Sequence, residues 1–203
     1  MLDSAFVSYV AVMSITPGPN NLLLAASGVN VGWRRTLPVM TGIVIGGTAL
    51  CALTTSLLAV LLNWVGVIRL PLAIVGCGYL FWLSWKIVRS GKPGERQSQQ
   101  RAMGWTQGVL FQAVNPKVWV MAMNVAILFT PPSGFTVQQT LGLCIGFALV
   151  NIPCVLVWVV LGDRLRLALQ NEGKRRAFNY VMGGLMALTA LWLIVDEGIK
   201  ALV

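Results

Sequence analysis

The chain has 203 residues, of which 57% are hydrophobic and only 10% are charged, and its mean hydropathy is +0.77. About a quarter of the residues in soluble domains are charged, so this composition excludes an ordinary soluble domain. The net charge of +9 does not indicate nucleic-acid binding, because the basic residues lie in the gaps between apolar blocks. Cytoplasmic loops and contacts with anionic membrane lipid explain them better.

Six apolar blocks can each cross a bilayer, which requires about 20 apolar residues. In chain order they cover residues 4–26, 37–62, 70–88, 107–129, 137–161 and 180–197. The third block starts where Arg69 and Pro71 interrupt the apolar run, and Pro71 fits the first turn of a helix. The first block lacks a basic leader and a small-residue cleavage site, which favours a retained span over a signal peptide. The sequence therefore predicts one all-α transmembrane domain over residues 1–203.

A polar interruption near the middle of the first block predicts a broken helix. It consists of Thr16, Pro17, Gly18, Pro19, Asn20 and Asn21. The two prolines remove backbone donors and clash with preceding carbonyls, while Gly18 tolerates unusual backbone angles. A break at membrane depth is stable only where it is buried in protein or lines a wet cavity.

Residues 89–105 form the one low-complexity polar stretch and predict a flexible cytoplasmic linker. The linker divides the chain into two halves of three spans, residues 1–88 and about 106–203. Because each half has three spans, the second half enters the membrane from the side opposite to the first, and this arrangement predicts inverted repeats. Pro17 and Pro116 are 99 residues apart. The pair Gly42 and Gly46 precedes a matching pair, Gly142 and Gly146, by 100 residues. Taken alone, these glycine pairs favour close helix packing.

The fourth block is predicted to break at the matching depth, where Asn115, Pro116 and Lys117 follow one another. Asparagine is a preferred N-cap and proline a preferred first helical residue, so a new half-helix is expected to begin here. Pro19 or Asn20 would begin the equivalent half-helix in the first block. Inverted halves would make the two new amino termini face each other near the mid-plane, where their N–H groups suit an anion such as a carboxylate.

Lys117 has two interpretations. A lysine at the centre of a span costs about 2.5–3.5 kcal/mol on insertion scales, and the sequence places no acidic residue at comparable depth. Together with Asn20, Asn21, Asn115 and the neighbouring backbone amides it could bind a substrate carboxylate, which we favour, or it could act as a structural pin on carbonyls freed by a break. Asn151, in the fifth block, could line the same cavity, whereas Gln112 and Asn124 fit interhelical hydrogen bonds equally well.

The basic residues predict the orientation of the chain in the membrane. Twelve of the fifteen lie in the first, third and fifth connections or at their edges. These are Arg34, Arg35, Lys86, Arg89, Lys92, Arg96, Arg101, Arg164, Arg166, Lys174, Arg175 and Arg176. Retaining basic loops in the cytoplasm places both termini outside.

Residues 16–21, the glycine-rich second block and residues 115–117 together resemble the LysE/RhtB family (lysine exporter, homoserine–threonine resistance) over essentially the whole chain. The resemblance implies a multi-pass protein of the bacterial inner membrane that exports amino acids using the proton gradient. It is closest to exporters of neutral amino acids such as cysteine, O-acetylserine, threonine, homoserine or leucine. The lack of an acidic residue within the spans also favours a neutral substrate, and it leaves the proton carrier open.

Other classes of function fit the sequence less well. A metal exporter needs Asp, His or clustered Cys at depth, but the chain has no His and its four cysteines are scattered in apolar segments. An intramembrane enzyme needs a nucleophile–base pair, which the sequence does not offer without a His or an acidic residue within the spans. A channel needs a continuous polar pore, whereas the deep polar residues cluster at the two breaks. No cofactor or metal is predicted. Export of another small solute or cation on this scaffold, a small-solute channel and a homodimer are left open.

Overall fold

Every regular element in the computed structural model, which describes residues 3–90, 102–129 and 136–202, is an α-helix. The helices are α1 (Ser4–Ile15), α2 (Pro19–Val31), α3 (Trp33–Ser56), α4 (Leu58–Val88), α5 (Trp105–Val114), α6 (Pro116–Phe129), α7 (Val137–Ala168) and α8 (Glu172–Leu202). The predicted all-α class is confirmed.

The helix boundaries correct the predicted blocks at one junction. α3 ends at Ser56 rather than near residue 62, and α4 begins at Leu58. Pro71 therefore lies inside α4 and not in a first helical turn, so the predicted connection around Arg69 is helical. Hydropathy could not place this boundary because the sequence is apolar on both sides of Leu57.

The linker prediction can be followed only at its two ends. α4 ends at Val88 and α5 begins at Trp105, as expected for a connection over residues 89–105. Residues 91–101 of this linker lie outside the described residues, as does the fourth connection at residues 130–135.

Among the described residues, three helices are long and apolar enough to cross a membrane: Trp33–Ser56, Val137–Ala168 and the Glu172–Asp196 part of α8. Shorter apolar helices are Ser4–Ile15, Ala73–Val88 and Pro116–Phe129. Large apolar side chains cover the outside of the bundle, for example Leu110, Val137 and Trp192, which are 65%, 79% and 67% exposed. Water does not favour so large an apolar surface, whereas lipid does, so the chain is a helical membrane protein.

α2 lies at the centre of the bundle, because nine of its 13 residues are buried. Leu22, Leu23 and Leu24 join a core cluster that also includes side chains of α3, α4, α5, α7 and α8. A second cluster surrounds Phe147 and includes Phe6 of α1 and Met121 of α6. The amino terminus of α2 therefore lies in the protein interior.

Close helix packing, as predicted, explains one of the two glycine pairs. At Gly42 a side chain would clash with the Trp105 carbonyl of α5, and at Gly46 it would lie 2.8 Å from Cγ of Gln112. These contacts hold α3 tightly against α5. A Cβ added at Gly142 would meet no atom of another element within 4 Å among the described residues, so this glycine marks no such close contact there.

Candidate functional site

The predicted break in the first apolar block is present and spans residues 16–18; we call it the first break. α1 ends at Ile15, and Thr16 and Gly18 both have extended backbones, with ψ 143° and φ −179°. α2 then begins at Pro19, at the first helical position, where a missing N–H removes no hydrogen bond. The sequence forms this break through its prolines, as expected.

The second break, also predicted, consists of Asn115 alone, with ψ 106°. Its N–H donates to Gln112 O of α5 at 3.3 Å, and its carbonyl accepts from Val118 N of α6 at 3.1 Å. Its side-chain Oδ1 accepts from Lys117 N at 3.2 Å, so Asn115 caps the amino terminus of α6. Pro116 occupies the first position of α6.

The two breaks meet. Asn115 Nδ2 donates to Asn20 Oδ1 at 2.8 Å. The Asn20 and Gln112 amides also bond each other reciprocally, at 3.0 and 3.1 Å. The amino termini of α2 and α6 are therefore adjacent, as the sequence predicted.

The carbonyls at the end of α1 receive donors from side chains of other helices. Such carbonyls have no partner within their own helix. Asn21 Nδ2 donates to Ser14 O and Thr16 O, both at 2.8 Å. Trp158 Nε1 of α7 donates to Ile15 O at 3.0 Å. Asn21, Trp158 and Lys117 thus supply side-chain donors to the carbonyls of the first break.

Lys117 is one of these donors. Its Nζ lies 2.9 Å from Thr16 O, 2.9 Å from Thr16 Oγ1 and 3.4 Å from Pro17 O, all uncharged oxygens. Its side chain crosses Gly18 so closely that a Cβ there would lie 2.8 Å from Lys117 Cδ and 3.0 Å from Nζ. These are the contacts expected of a structural pin, and the substrate role stays a prediction.

The amino terminus of α2 has no side-chain cap, because its N-cap residue is Gly18. Leu22 N donates to Gly18 O at 2.9 Å. The N–H groups of Asn20 and Asn21 have no acceptor among the described residues. N–H groups without a helical acceptor and the positive end of the helix dipole favour an anion at this point.

A small cavity of about 20 Å³ lies at these breaks. Its polar lining side chains are Ser14, Asn20, Asn21, Gln112, Lys117 and Asn151. Its apolar walls include Met121 and Phe147, and none of the described residues that line it is acidic. The volume holds about one water molecule, so this conformation is closed to anything of amino-acid size.

Eight of the ten predicted site residues come together here: Thr16, Pro17, Gly18, Asn20, Asn21, Asn115, Lys117 and Asn151. Pro19 and Pro116 form the first turns of α2 and α6. Sequence reasoning missed Ser14, which binds Asn21 and Asn151, and Trp158. Trp158 lies seven residues after Asn151 on α7, and helical periodicity would place both on one face.

Of the two alternatives for Gln112 and Asn124, Asn124 makes the interhelical hydrogen bond, with Nδ2 donating to Tyr9 Oη at 3.1 Å between α6 and α1. Gln112 does both, because it bonds Asn20 of α2 and lines the cavity. Cys51, Cys77 and Cys144 are buried and Cys154 is half-buried. The described residues contain no group of three or more His, Cys, Asp or Glu side chains that could hold a metal ion.

Comparison with known proteins gives one family. The sequence profile described as LysE type translocator matches residues 11–197. A cysteine/O-acetylserine efflux protein of Salmonella typhimurium is 29% identical over 201 residues, which cover 94% of this chain and 96% of the relative. The protein of the same name in Klebsiella pneumoniae is 26% identical over 195 residues, covering 96% and 98%. No solved structure matches the chain.

Proposed function

We propose that the chain, which belongs to the LysE type translocator family, exports a neutral amino acid or a close derivative across the bacterial inner membrane. The substrate class includes cysteine, O-acetylserine, threonine, homoserine and leucine. The relatives named for cysteine and O-acetylserine efflux support this class. We further propose that the proton-motive force drives export.

One observation carries the proposal: the cavity combines an uncapped helix amino terminus and a lysine with apolar walls, and its described lining contains no acidic residue. The N–H groups of Asn20 and Asn21 and the ammonium of Lys117 suit a carboxylate. Phe147 and Met121 suit an uncharged side chain. A lysine or arginine substrate would bury its side-chain charge without a carboxylate partner, which is unfavourable.

Lys117 connects substrate binding to opening of the cavity. In the closed conformation its ammonium bonds to Thr16 at the end of α1. A carboxylate at the amino terminus of α2 would compete for that ammonium, because charge-assisted hydrogen bonds are about twice as strong as neutral ones. Binding would thereby release the end of α1. Lys117 then acts as a structural pin in the closed conformation and as a ligand when the substrate is bound.

The helix packing supports the proposed six-span inverted repeat. α3 packs against α5 and α6, while α7 packs against α1 and α2, and α3 and α4 also pack against their counterparts α7 and α8. A two-fold relation between halves requires this exchange of partners. The proposal predicts that residues 1–88 superpose on about 106–203 with Pro17 on Pro116. An experimental structure in which those prolines do not coincide contradicts it.

The proposed orientation, with basic connections in the cytoplasm and both termini outside, can be tested by cysteine labelling. In a cysteine-free background, Gly173→Cys at the exposed start of α8 should react only from the cytoplasmic side. Thr136→Cys, at the exposed start of α7, should react only from outside. Reaction of both positions from one side contradicts the orientation.

Counterflow in proteoliposomes tests the function. Purified protein should exchange labelled O-acetylserine or cysteine against an excess of the same neutral amino acid inside, and lysine should not compete. A proton gradient directed opposite to the substrate flux should accelerate net export. A protein that exchanges no neutral amino acid contradicts the proposal. Passage of unrelated small solutes at equal rates indicates a channel.

A further inference from the structure

We infer that the side-chain oxygens of Asn21 and Asn151 bind the α-ammonium group of the substrate. This inference rests on the proposed function and assigns one charged group of the substrate to two side chains of the cavity. Its basis is a pair of buried acceptors: Asn21 Oδ1 and Asn151 Oδ1 have no hydrogen-bond partner within the described part of the chain. Buried polar atoms in native proteins nearly always have a partner, so two unpaired atoms in one cavity lining point to a ligand.

Asn21 can offer only an acceptor. Its Nδ2 already donates to Ser14 O and Thr16 O, and carbonyls cannot donate, so the amide orientation is fixed by these partners. The side chain is only 3% exposed. Asn21 Oδ1 would repel a carboxylate. The sequence predicted that this side chain binds the carboxylate, whereas its hydrogen bonds assign its oxygen to the ammonium of the substrate.

Asn151 reaches the same place from α7. Its Nδ2 donates to Ser14 Oγ at 3.0 Å, and the side chain is 8% exposed. Asn21 and Asn151 therefore both bind Ser14, one at its carbonyl and one at its hydroxyl. Their two unpaired oxygens belong to side chains that converge on a single residue of α1.

An ammonium group is the chemical match for this pair. It carries three N–H donors and one positive charge, and amide oxygens accept without adding a negative charge to the membrane interior. Lys117 Nζ, a donor for the carboxylate, lies next to Asn21, because both side chains donate to Thr16 O, at 2.9 and 2.8 Å. The α-ammonium and α-carboxylate of an amino acid are bonded to the same carbon, so a zwitterion needs two such sites side by side.

The test compares two probes on two variants that make the same substitution. The probes are O-acetylserine and N,O-diacetylserine, which keeps the carboxylate but lacks the ammonium. The variants are Asn151→Leu and, as matched control, Asn124→Leu. Both asparagines donate to a hydroxyl of α1, but only Asn151 lines the cavity. Dissociation constants are measured by titration calorimetry on purified protein.

The wild type should bind O-acetylserine about 10- to 100-fold more tightly than N,O-diacetylserine, as expected for hydrogen bonds to a charged group. Asn151→Leu should weaken the binding of O-acetylserine about tenfold or more. It should leave the dissociation constant of N,O-diacetylserine unchanged, so that the ratio of the two constants falls toward one. Asn124→Leu should keep the wild-type ratio. Asn151→Asp, which retains acceptor oxygens, should also keep or raise the preference, and it serves if the leucine variant does not fold.

An unchanged ratio in Asn151→Leu, an equal loss for both probes, or a lost preference in Asn151→Asp overturns the inference. Failure of the proposed function looks different, because the wild type would then exchange no neutral amino acid in counterflow. That result overturns the inference together with the function. A wild type that exchanges neutral amino acids but binds both probes equally overturns the inference alone.

Discussion

The two helix breaks have similar sequences but differ in how their backbone groups are satisfied. The second break is one residue long, and Asn115 itself caps α6 and bonds back to α5. The first break is three residues long and has glycine where a capping side chain would be, so α2 starts uncapped. Its carbonyls are bonded instead by Asn21, by Trp158 of α7 and by Lys117 of α6.

This difference indicates which break can move. A break whose backbone groups are bonded by its own residues does not depend on donors from other helices. A break that borrows donors from other helices can be opened by any ligand that competes for those donors. We therefore expect the first break to be the moving part and the second to be its rigid support, although the two occupy matching places in the proposed repeats.

The largest effect is expected at Lys117. Lys117→Met should lower the counterflow rate about tenfold or more, because it removes the charged donor for the substrate carboxylate. Lys117→Arg should not restore it, because a planar guanidinium needs a different geometry. Lys86→Met is the control, since Lys86 lies over the Trp82 ring at 5.1 Å and away from the cavity. A well-folded Lys117→Met protein with wild-type counterflow contradicts the site role.

A smaller but clear loss is expected for Gly18→Ala. The added methyl would meet Lys117 Cδ at 2.8 Å and displace the ammonium, while the extended backbone at φ −179° accepts alanine. Counterflow should fall severalfold with little change in thermal stability. Gly104→Ala, at the uncapped start of α5 and with only Thr106 Oγ1 nearby at 4.0 Å, should leave transport unchanged. Equal behaviour of the two variants would show that Lys117 is not constrained at Gly18.

At the second break the expected effect is on stability. Asn115→Ala removes the cap of α6 and one donor to Asn20, and it should lower the unfolding free energy by about 1 kcal/mol. Asn115→Ser keeps a capping oxygen and should recover most of that loss. Thermal unfolding of the purified proteins measures both. If the serine variant is no more stable than the alanine variant, capping is not the role of Asn115.

The smallest effects are expected from the two tryptophans that bond freed carbonyls. Trp158→Phe removes the donor to Ile15 O at the first break, and Trp119→Phe removes the donor to Ala113 O at the second. Each should cost about 1 kcal/mol of stability. Only Trp158→Phe should also change the counterflow rate. A rate change in Trp119→Phe of equal size would remove the distinction between the two breaks.

The sequence predicts those parts of the fold and site that depend on local chemistry. Asparagine next to proline favours a helix break and a new helix start, so both breaks and the contact of Asn20 with Asn115 were predictable, whereas the isolated Pro71 lies inside α4. The start of α4 was not predictable, because the sequence around Leu57 is apolar and contains no residue that marks a helix boundary.

The direction of the hydrogen bonds within the site also could not be predicted. Asn21 and Asn115 have the same side chain, yet Asn21 uses its donors on α1 carbonyls whereas Asn115 uses its acceptor on α6. Only the packing of α1 decides this. Ser14 and Trp158 join the site through the same packing, so no local motif marks them.

The most direct test of the central claim, that Lys117 and the amino terminus of α2 bind the substrate carboxylate, is a binding cycle. Dissociation constants of O-acetylserine and its carboxamide are measured for the wild type and for Lys117→Met. We predict that the wild type binds the carboxamide about 10- to 100-fold more weakly than the acid, and that Lys117→Met distinguishes the two by only a fewfold. If the variant keeps the full wild-type preference for the acid, Lys117 does not bind the carboxylate and the account is wrong.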